Sequence, residues 1–309
     1  MWHRAITLLL LALSISAAQC EDRYRVEELP SRYLRGNRTI RIYLPPSYFT
    51  ETNRHYPVLY LHDGQNVFSF AGTNIAFGWG NWELDKSADV LSREHRMSEL
   101  ILVGVDNGAD RYGEYMGAHR SGETKTNTAF ENYEAFLVEE LKPHIDRTLR
   151  TRPGPASTGV MGSSLGGICS IVLAWDRPDI FGRAASLSGS FQVNTNFLEL
   201  VKAYKGKPKS TRLYFDSGTI DYTGGDDGRR LTGMVAEEFQ HLGWNEDLRL
   251  YVDVKPLTVG ELKGRGLRQD KWTEAQTSQH NEFYWRLRAW RALTFLFPPE
   301  PKKDQERGE

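Results

Sequence analysis

Gly162-Ser163-Ser164-Leu165-Gly166 is the single G-x-S-x-G pentapeptide in the 309-residue chain, and it sets Ser164 where a hydroxyl can act as a nucleophile. Thr158-Gly159-Val160-Met161 before it reads as a short buried strand, and the run from Gly167 to Ala174 after it reads as the start of a helix. A serine on a sharp strand-to-helix turn takes a strained backbone angle. Side chains two positions to either side would clash there, which accounts for the two glycines. The turn also brings the hydroxyl to a helix N-terminus, whose free N–H groups favour developing negative charge. Cys169, inside the apolar stretch Leu165–Ala174, reads as a small buried hydrophobe rather than a second nucleophile.

Short β-branched or aliphatic runs alternate with longer helical patterns along the chain, which predicts a largely parallel sheet covered by helices. The predicted strands are Arg38–Leu44, Tyr56–His62, Leu100–Asp106, Ser157–Gly162, Arg183–Leu187, Arg212–Ser217 and Leu248–Val254. Helices are predicted over Trp82–Arg93, Phe130–Leu149, Leu165–Arg177, Asn194–Ala203, Leu231–Leu242 and Asn281–Phe297. In the second of these, Tyr133, Phe136, Leu137, Leu141 and Ile145 recur at helical spacing, and Pro143 predicts a kink or break.

Composition is that of an ordinary globular domain, with 39% hydrophobic and 26% charged residues. A net charge of −1 gives no field that would favour nucleic acid or an anionic membrane. Arg4, the ten-residue apolar run Ile6–Ile15 and the small residues Ser16 to Ala18 have the order of a secretory signal peptide over residues 1–20. The apolar run is too short to span a bilayer, which takes about 20 residues, and no later segment is long and apolar enough to insert stably. The expected location is periplasmic or extracellular. Cys20 leaves a lipoprotein as the alternative, although Gln19 before it is a poor fit to such sites. One domain is expected over residues 24–297, followed by a disordered Pro-rich charged tail at 298–309.

The segments GVMGSSLGG, YLHDGQNVF and HNEFYW resemble the esterase D, enterochelin esterase and antigen 85 group of α/β-hydrolases. The likeness runs over most of residues 30–297 and includes VGVDNGADRYGEY and GRAASLSGSF. It implies an α/β-hydrolase fold, with a mostly parallel central sheet and helices on both faces. The group hydrolyses siderophore lactones, feruloyl and acetyl-xylan esters and thioesters, and includes mycolyl transferases, so the resemblance implies the chemistry without the substrate.

The chain order expected of this fold is serine, acid, histidine. Only His241 and His280 follow Ser164, and His241 falls in a helical pattern as a surface or capping residue. His280 precedes a helix start after the last strand and matches the family's HNE motif, so it is the expected general base. The resemblance puts the acid in a G-T-x-[DE] turn, which selects Asp221 in Gly218-Thr219-Ile220-Asp221. A carboxylate there would fix the imidazole tautomer and stabilise the imidazolium. Asp226 and Asp227 compete for that role, with helix capping as their plainer function. A Ser/His dyad without a strong third member is a further alternative.

Two N–H donors must meet the tetrahedral oxyanion, and loss of one typically costs a factor of about 10²–10³ in rate. Leu165, after the nucleophile, supplies one, and the resemblance assigns the other to the backbone of Gln65, after the strand Val58–Leu61. His62 and Asp63 read as loop-shaping groups, since no metal-ligand spacing accompanies them. Arg111 and Glu114 follow the third strand at the edge where open α/β sheets bind ligands, and are expected to pair with each other or to touch substrate. Phe191 is a candidate for the acyl pocket. Relatives place HNE soon after the last strand, whereas here 25 residues, Lys255–Gln279, intervene. Such a loop reads either as a lid over the pocket or as a surface excursion.

The sequence thus predicts a serine carboxylic-ester hydrolase that works through an acyl-enzyme, needs neither cofactor nor metal, and acts on a carbohydrate or phenolic ester or a siderophore lactone. Acyl transfer to a sugar or lipid hydroxyl is the first alternative. A non-catalytic glycan- or siderophore-binding protein is the second.

Overall fold

The computed structural model describes residues 23–72, 75–117 and 128–300. The signal-peptide reading of residues 1–20, Cys20 included, and residues 301–309 of the expected tail lie outside the described residues. Among the described residues eight strands form one sheet: β1 (Tyr24–Pro30), β2 (Asn37–Tyr43), β3 (Val58–His62), β4 (Ile101–Val105), β5 (Thr158–Ser163), β6 (Arg183–Leu187), β7 (Arg212–Ser217) and β8 (Leu248–Val252). Their order is β1-β2-β4-β3-β5-β6-β7-β8. β1 and β2 run antiparallel to their neighbours, and all the rest pair in parallel.

β3, β4 and β5 are buried along their full length, as continuous apolar runs require of strands covered on both faces. One face packs on the helices Leu165–Asp176, Asn196–Ala203 and Arg229–His241 and on the helical segment that starts at Thr128. The opposite face packs on Leu84–Arg93 and Glu282–Leu296. The chain moves outward from β3 to β4 and then crosses back to place β5 on the other side of β3. That reversal opens a crevice at the carboxyl ends of β3 and β5, where ligands of open α/β sheets bind.

The predicted strands agree with the observed ones to within two residues at each end, but β1 was not predicted. It is an edge strand whose only apolar side chains are Tyr24, Val26 and Leu29, and Val26 points to solvent, so no buried alternation marks it. Pro143 does not break its helix. The chain stays helical from Thr128 to Thr148 by widening to a π-turn over Phe136–Leu141, in which the Lys142 N–H donates to the Leu137 carbonyl. A π-turn absorbs the hydrogen bond that proline cannot donate.

The 25-residue insertion is folded rather than a bare loop. It holds the helices Val259–Gly264 and Trp272–Thr277, the first opened by a capping box between Thr258 and Glu261. Leu262, Leu267 and Ala275 form a separate apolar cluster with Phe283 and Tyr284, against which Trp79 and Trp272 pack. The start of the expected tail is tied down: Ser98 Oγ donates to the Pro298 carbonyl at 2.5 Å, and Glu300 pairs with Arg152 at 2.5 Å. No helix of the described residues is long and apolar enough to cross a membrane.

Candidate active site

Ser164 sits between β5 and the helix Leu165–Asp176 with φ 55° and ψ −121°. A non-glycine residue in such a region costs about 1–3 kcal/mol, so its surroundings must hold it there. They do so with four backbone hydrogen bonds: Ser164 N–H to the Leu187 carbonyl at 3.0 Å, and the Ser190, Gly167 and Ile168 N–H groups to the Ser164 carbonyl at 2.9, 3.1 and 3.4 Å. The flanking glycines are sterically required. A Cβ on Gly162 would stand 2.6 Å from the Gly166 carbonyl carbon, and one on Gly166 would stand 2.9 Å from the His62 Cβ.

Ser164 Oγ lies 2.9 Å from His280 Nε2 and 3.1 Å from Ser190 Oγ. On the far side of the imidazole, Nδ1 lies 2.6 Å from Asp227 Oδ1. An ionised carboxylate can only accept, so Nδ1 carries the proton and Nε2 presents its lone pair to the serine hydroxyl. His280 is held by its neighbours in sequence. The Gln279 side chain accepts from the Thr219 hydroxyl at 2.7 Å and donates to Asp253 at 3.0 Å, and Asn281 caps the following helix through the Tyr284 N–H. The Trp285 ring stands edge-to-face to the imidazole at 5.1 Å.

The carboxylate behind His280 is therefore Asp227 and not Asp221. Asp221 closes its own loop: its Oδ1 accepts from the Thr223 N–H, the Thr223 hydroxyl and the Gly225 N–H at 2.7–2.8 Å. Burial pushes the Asp221 carboxyl up, and these donors outweigh it and bring the pKa down. The helix-capping role falls to Asp226, which accepts from the Arg230 N–H at 3.1 Å. Asp227 has left-handed φ 54° and is 2% exposed. Its Oδ2 accepts from the Ser188 hydroxyl at 2.6 Å and from the Gly218 N–H. The Ser188 oxygen in turn accepts from Trp285 Nε1 at 3.1 Å and from the Arg288 guanidinium. Arg288 is itself buried and bound to Asp216 at 3.0 Å. Burial pushes the Asp216 carboxyl up to about 6 against the pull of that guanidinium. Neither Ser188 nor Arg288 was singled out from the sequence.

Leu165 is the first residue of its helix, so its N–H has no intrahelical acceptor. Gln65 lies in the turn Gly64–Asn66 directly after β3, the strand that pairs with β5. Gln65 and Ser164 line one cavity of about 780 Å³, together with Trp79, Asn107, Arg111, Glu282 and His280.

The other expected contacts divide. Arg111 is in the cavity wall but pairs bidentately with Asp63, at 2.6 and 2.8 Å, rather than with Glu114. Glu114 is turned away and buried against Arg38, with which it makes two bonds of 2.7 and 3.0 Å, so it does not reach this cavity. Phe191 is not in the wall either: it packs into the core against Phe215, because the turn after β6 sends its ring inward. His62 shapes the floor beneath the elbow. It is fully buried and bonded to the Tyr133 hydroxyl at 2.8 Å, and burial, with Arg111 nearby, lowers its pKa to about 3. His241 lies on the surface beside Glu238. Cys169 is buried, and burial pushes its thiol pKa up. Of the insertion, Glu274, Thr277 and Ser278 reach the cavity wall. Among the described residues no group of three or more His, Cys, Asp or Glu side chains is placed to hold a metal ion.

Residues 31–248 match the model of a family described as "Putative esterase". The chain is 27% identical over 230 residues to the "Uncharacterized protein YbbA" of Bacillus subtilis (strain 168), an alignment that covers 70% of this chain and 84% of that protein. Among solved structures, a ferulic acid esterase superposes with a TM-score of 0.64 at 18% identity, over 89% of this chain and 97% of its own. The enterobactin esterase FES from Shigella flexneri superposes with a TM-score of 0.62 at 16% identity, over 88% of this chain. This chain spans 59% of that enzyme's length. At such identities what is shared is the fold, and it is the α/β-hydrolase fold.

Proposed function

The chain belongs to this esterase family, and from that premise we propose that it is a serine carboxylic-ester hydrolase working through an acyl-enzyme. The observation that carries the reading is the continuous line from Ser164 Oγ through His280 Nε2, at 2.9 Å, and Nδ1 to Asp227, at 2.6 Å. His280 takes the Ser164 proton as the oxygen attacks the ester carbonyl, and Asp227 stabilises the imidazolium that forms. The tetrahedral oxyanion rests on the Leu165 and Gln65 N–H groups. Collapse expels the alcohol with the proton from His280. Water then attacks the acyl-enzyme with His280 again as base, releasing the carboxylic acid and the free serine.

Carbohydrate or phenolic esters, as small molecules or on a glycan, and siderophore lactones are the substrate classes in view. We also propose that the chain is exported and its leader removed on export, which N-terminal sequencing of the protein from its native host would check. The test of the chemistry is steady-state hydrolysis of p-nitrophenyl acetate by the wild type and by Ser164→Ala and His280→Ala. Each variant is expected to lose at least about a thousandfold in kcat. Undiminished turnover in either one would refute the assignment.

A further inference from the structure

The cavity beside Ser164 has an unusual balance of charge. Its charged wall residues are three carboxylates, Asp63, Glu274 and Glu282, and one guanidinium, Arg111. Arg111 is already committed, since both of its bonds to Asp63 are formed. Glu274 holds Lys271 at 3.1 Å, and that ammonium also lies 4.8 Å from the centre of the Trp79 ring. Among the described residues the wall therefore offers an incoming anion no uncommitted cation, and an anion entering would lose its hydration for nothing in return.

Glu282 is the wall group left with capacity. Its Oε1 accepts from Asn66 Nδ2 at 3.2 Å, and its own backbone N–H is the other donor to the carboxylate. Burial pushes its carboxyl up to about 7, with Asp63 adding to the shift and its own backbone N–H and Arg111 opposing it. Near neutrality it can thus accept a hydrogen bond or donate one. The amides of Gln65, Asn66 and Asn107 add further uncharged polar contacts on the same wall. The aromatic surface is large: Trp79 lines the cavity, Phe77 is 94% exposed at its mouth with a left-handed φ of 57°, and Tyr222 is 77% exposed. Exposed rings of this kind offer flat faces on which a ligand ring can stack.

We propose that this cavity binds the uncharged, hydroxyl-bearing ring of an ester substrate, a sugar or a phenol, and that Glu282 is the specificity-determining residue that takes the ring hydroxyl. The inference rests on the esterase reading and narrows it: negatively charged esters are selected against by the wall.

The test is kcat/KM on two matched series with the full-length enzyme. One series is methyl 4-hydroxycinnamate, methyl cinnamate and methyl 4-carboxycinnamate. The other is an acetylated methyl xyloside, its monodeoxy analogue and the corresponding uronate. In at least one series the hydroxyl is expected to raise kcat/KM about tenfold, and the carboxylate to lower it about tenfold. The series that responds identifies the source of the ring. Glu282→Ala is expected to bring the hydroxyl preference close to one through KM, while Glu282→Gln keeps it, because an amide still bonds a hydroxyl. Anionic members hydrolysed as fast as their neutral partners would overturn the proposal without using any variant. So would a hydroxyl preference that survives Glu282→Ala intact. Failure of the wild type on p-nitrophenyl acetate as well as on both series would instead overturn the esterase reading and this inference with it.

Discussion

The Ser188 hydroxyl donates to Asp227 Oδ2 at 2.6 Å, and this fixes which edge of the carboxylate faces His280. Ser188 also has left-handed φ, 46°, directly after β6, and it accepts from Trp285 and Arg288 on the last helix. A strand end, the loop before the Arg229–His241 helix and the last helix thus meet at one hydroxyl. The carboxylate behind His280 is held by the core of the fold rather than by the loop that carries it.

Asp227→Asn is expected to lower kcat for p-nitrophenyl acetate by about 10⁴, because an amide cannot hold the imidazole in the required tautomer. Asp221→Asn should cost far less, since that side chain only closes its own turn. Comparable losses in the two variants, measured under identical conditions, would contradict the assignment of Asp227.

Arg288→Leu should destabilise the protein by about 3–5 kcal/mol, because it strands the buried Asp216 carboxylate. Adding Asp216→Leu should recover part of that loss. Urea denaturation of the two single variants and the double variant reads the coupling. Additive losses would mean that the pair at 3.0 Å contributes nothing as a pair.

His62 gives the fold a specific sensitivity to acid. Its folded pKa, lowered to about 3 by burial, lies below the usual histidine value of about 6.5. Between those two values the unfolded chain binds a proton that the folded chain does not, so stability falls as the pH drops through that window. His62→Asn, which keeps a partner for the Tyr133 hydroxyl, should lose less stability than the wild type between about pH 7 and pH 4. Thermal denaturation across that range checks this, and parallel curves would rule His62 out as the cause.

Leu262→Ala should loosen the insertion without unfolding the sheet, because Leu262 belongs to an apolar cluster separate from the two beneath the sheet faces. The expected cost is about 2–5 kcal/mol, confined to that cluster. Hydrogen exchange should lose protection over residues 257–277 while β5 stays protected. Uniform loss across the chain would show that the insertion is part of the main core.

The sheet and the strand-to-helix turn at Ser164 were legible in the sequence because both follow from local pattern. Val58–Leu61 and Leu100–Val105 are continuous apolar runs, and the glycines around Ser164 mark a turn that admits no side chains. Which carboxylate stands behind His280 was not legible. Asp221, Asp226 and Asp227 share one Gly- and Asp-rich loop, and what separates them is the left-handed turn at Asp227 and the reach of Ser188, 39 residues away in sequence. The direction of Phe191 was hidden for a related reason: adjacency to a strand end does not say which side of the sheet the next ring will join. Glu114 was misread because Arg38, its partner, lies on β2, 76 residues earlier. The helix at Val259 did carry a local mark, the Thr258-x-x-Glu261 capping box, which went unused.

The central claim is that Ser164 is a nucleophile activated by His280. Fluorophosphonate labelling of the purified protein, followed by peptide mass mapping, tests it most directly. A single adduct on the peptide that contains Ser164, absent from Ser164→Ala and strongly slowed in His280→Ala, is the predicted result. An unlabelled wild type, or an adduct that persists after Ser164 is replaced, would contradict it.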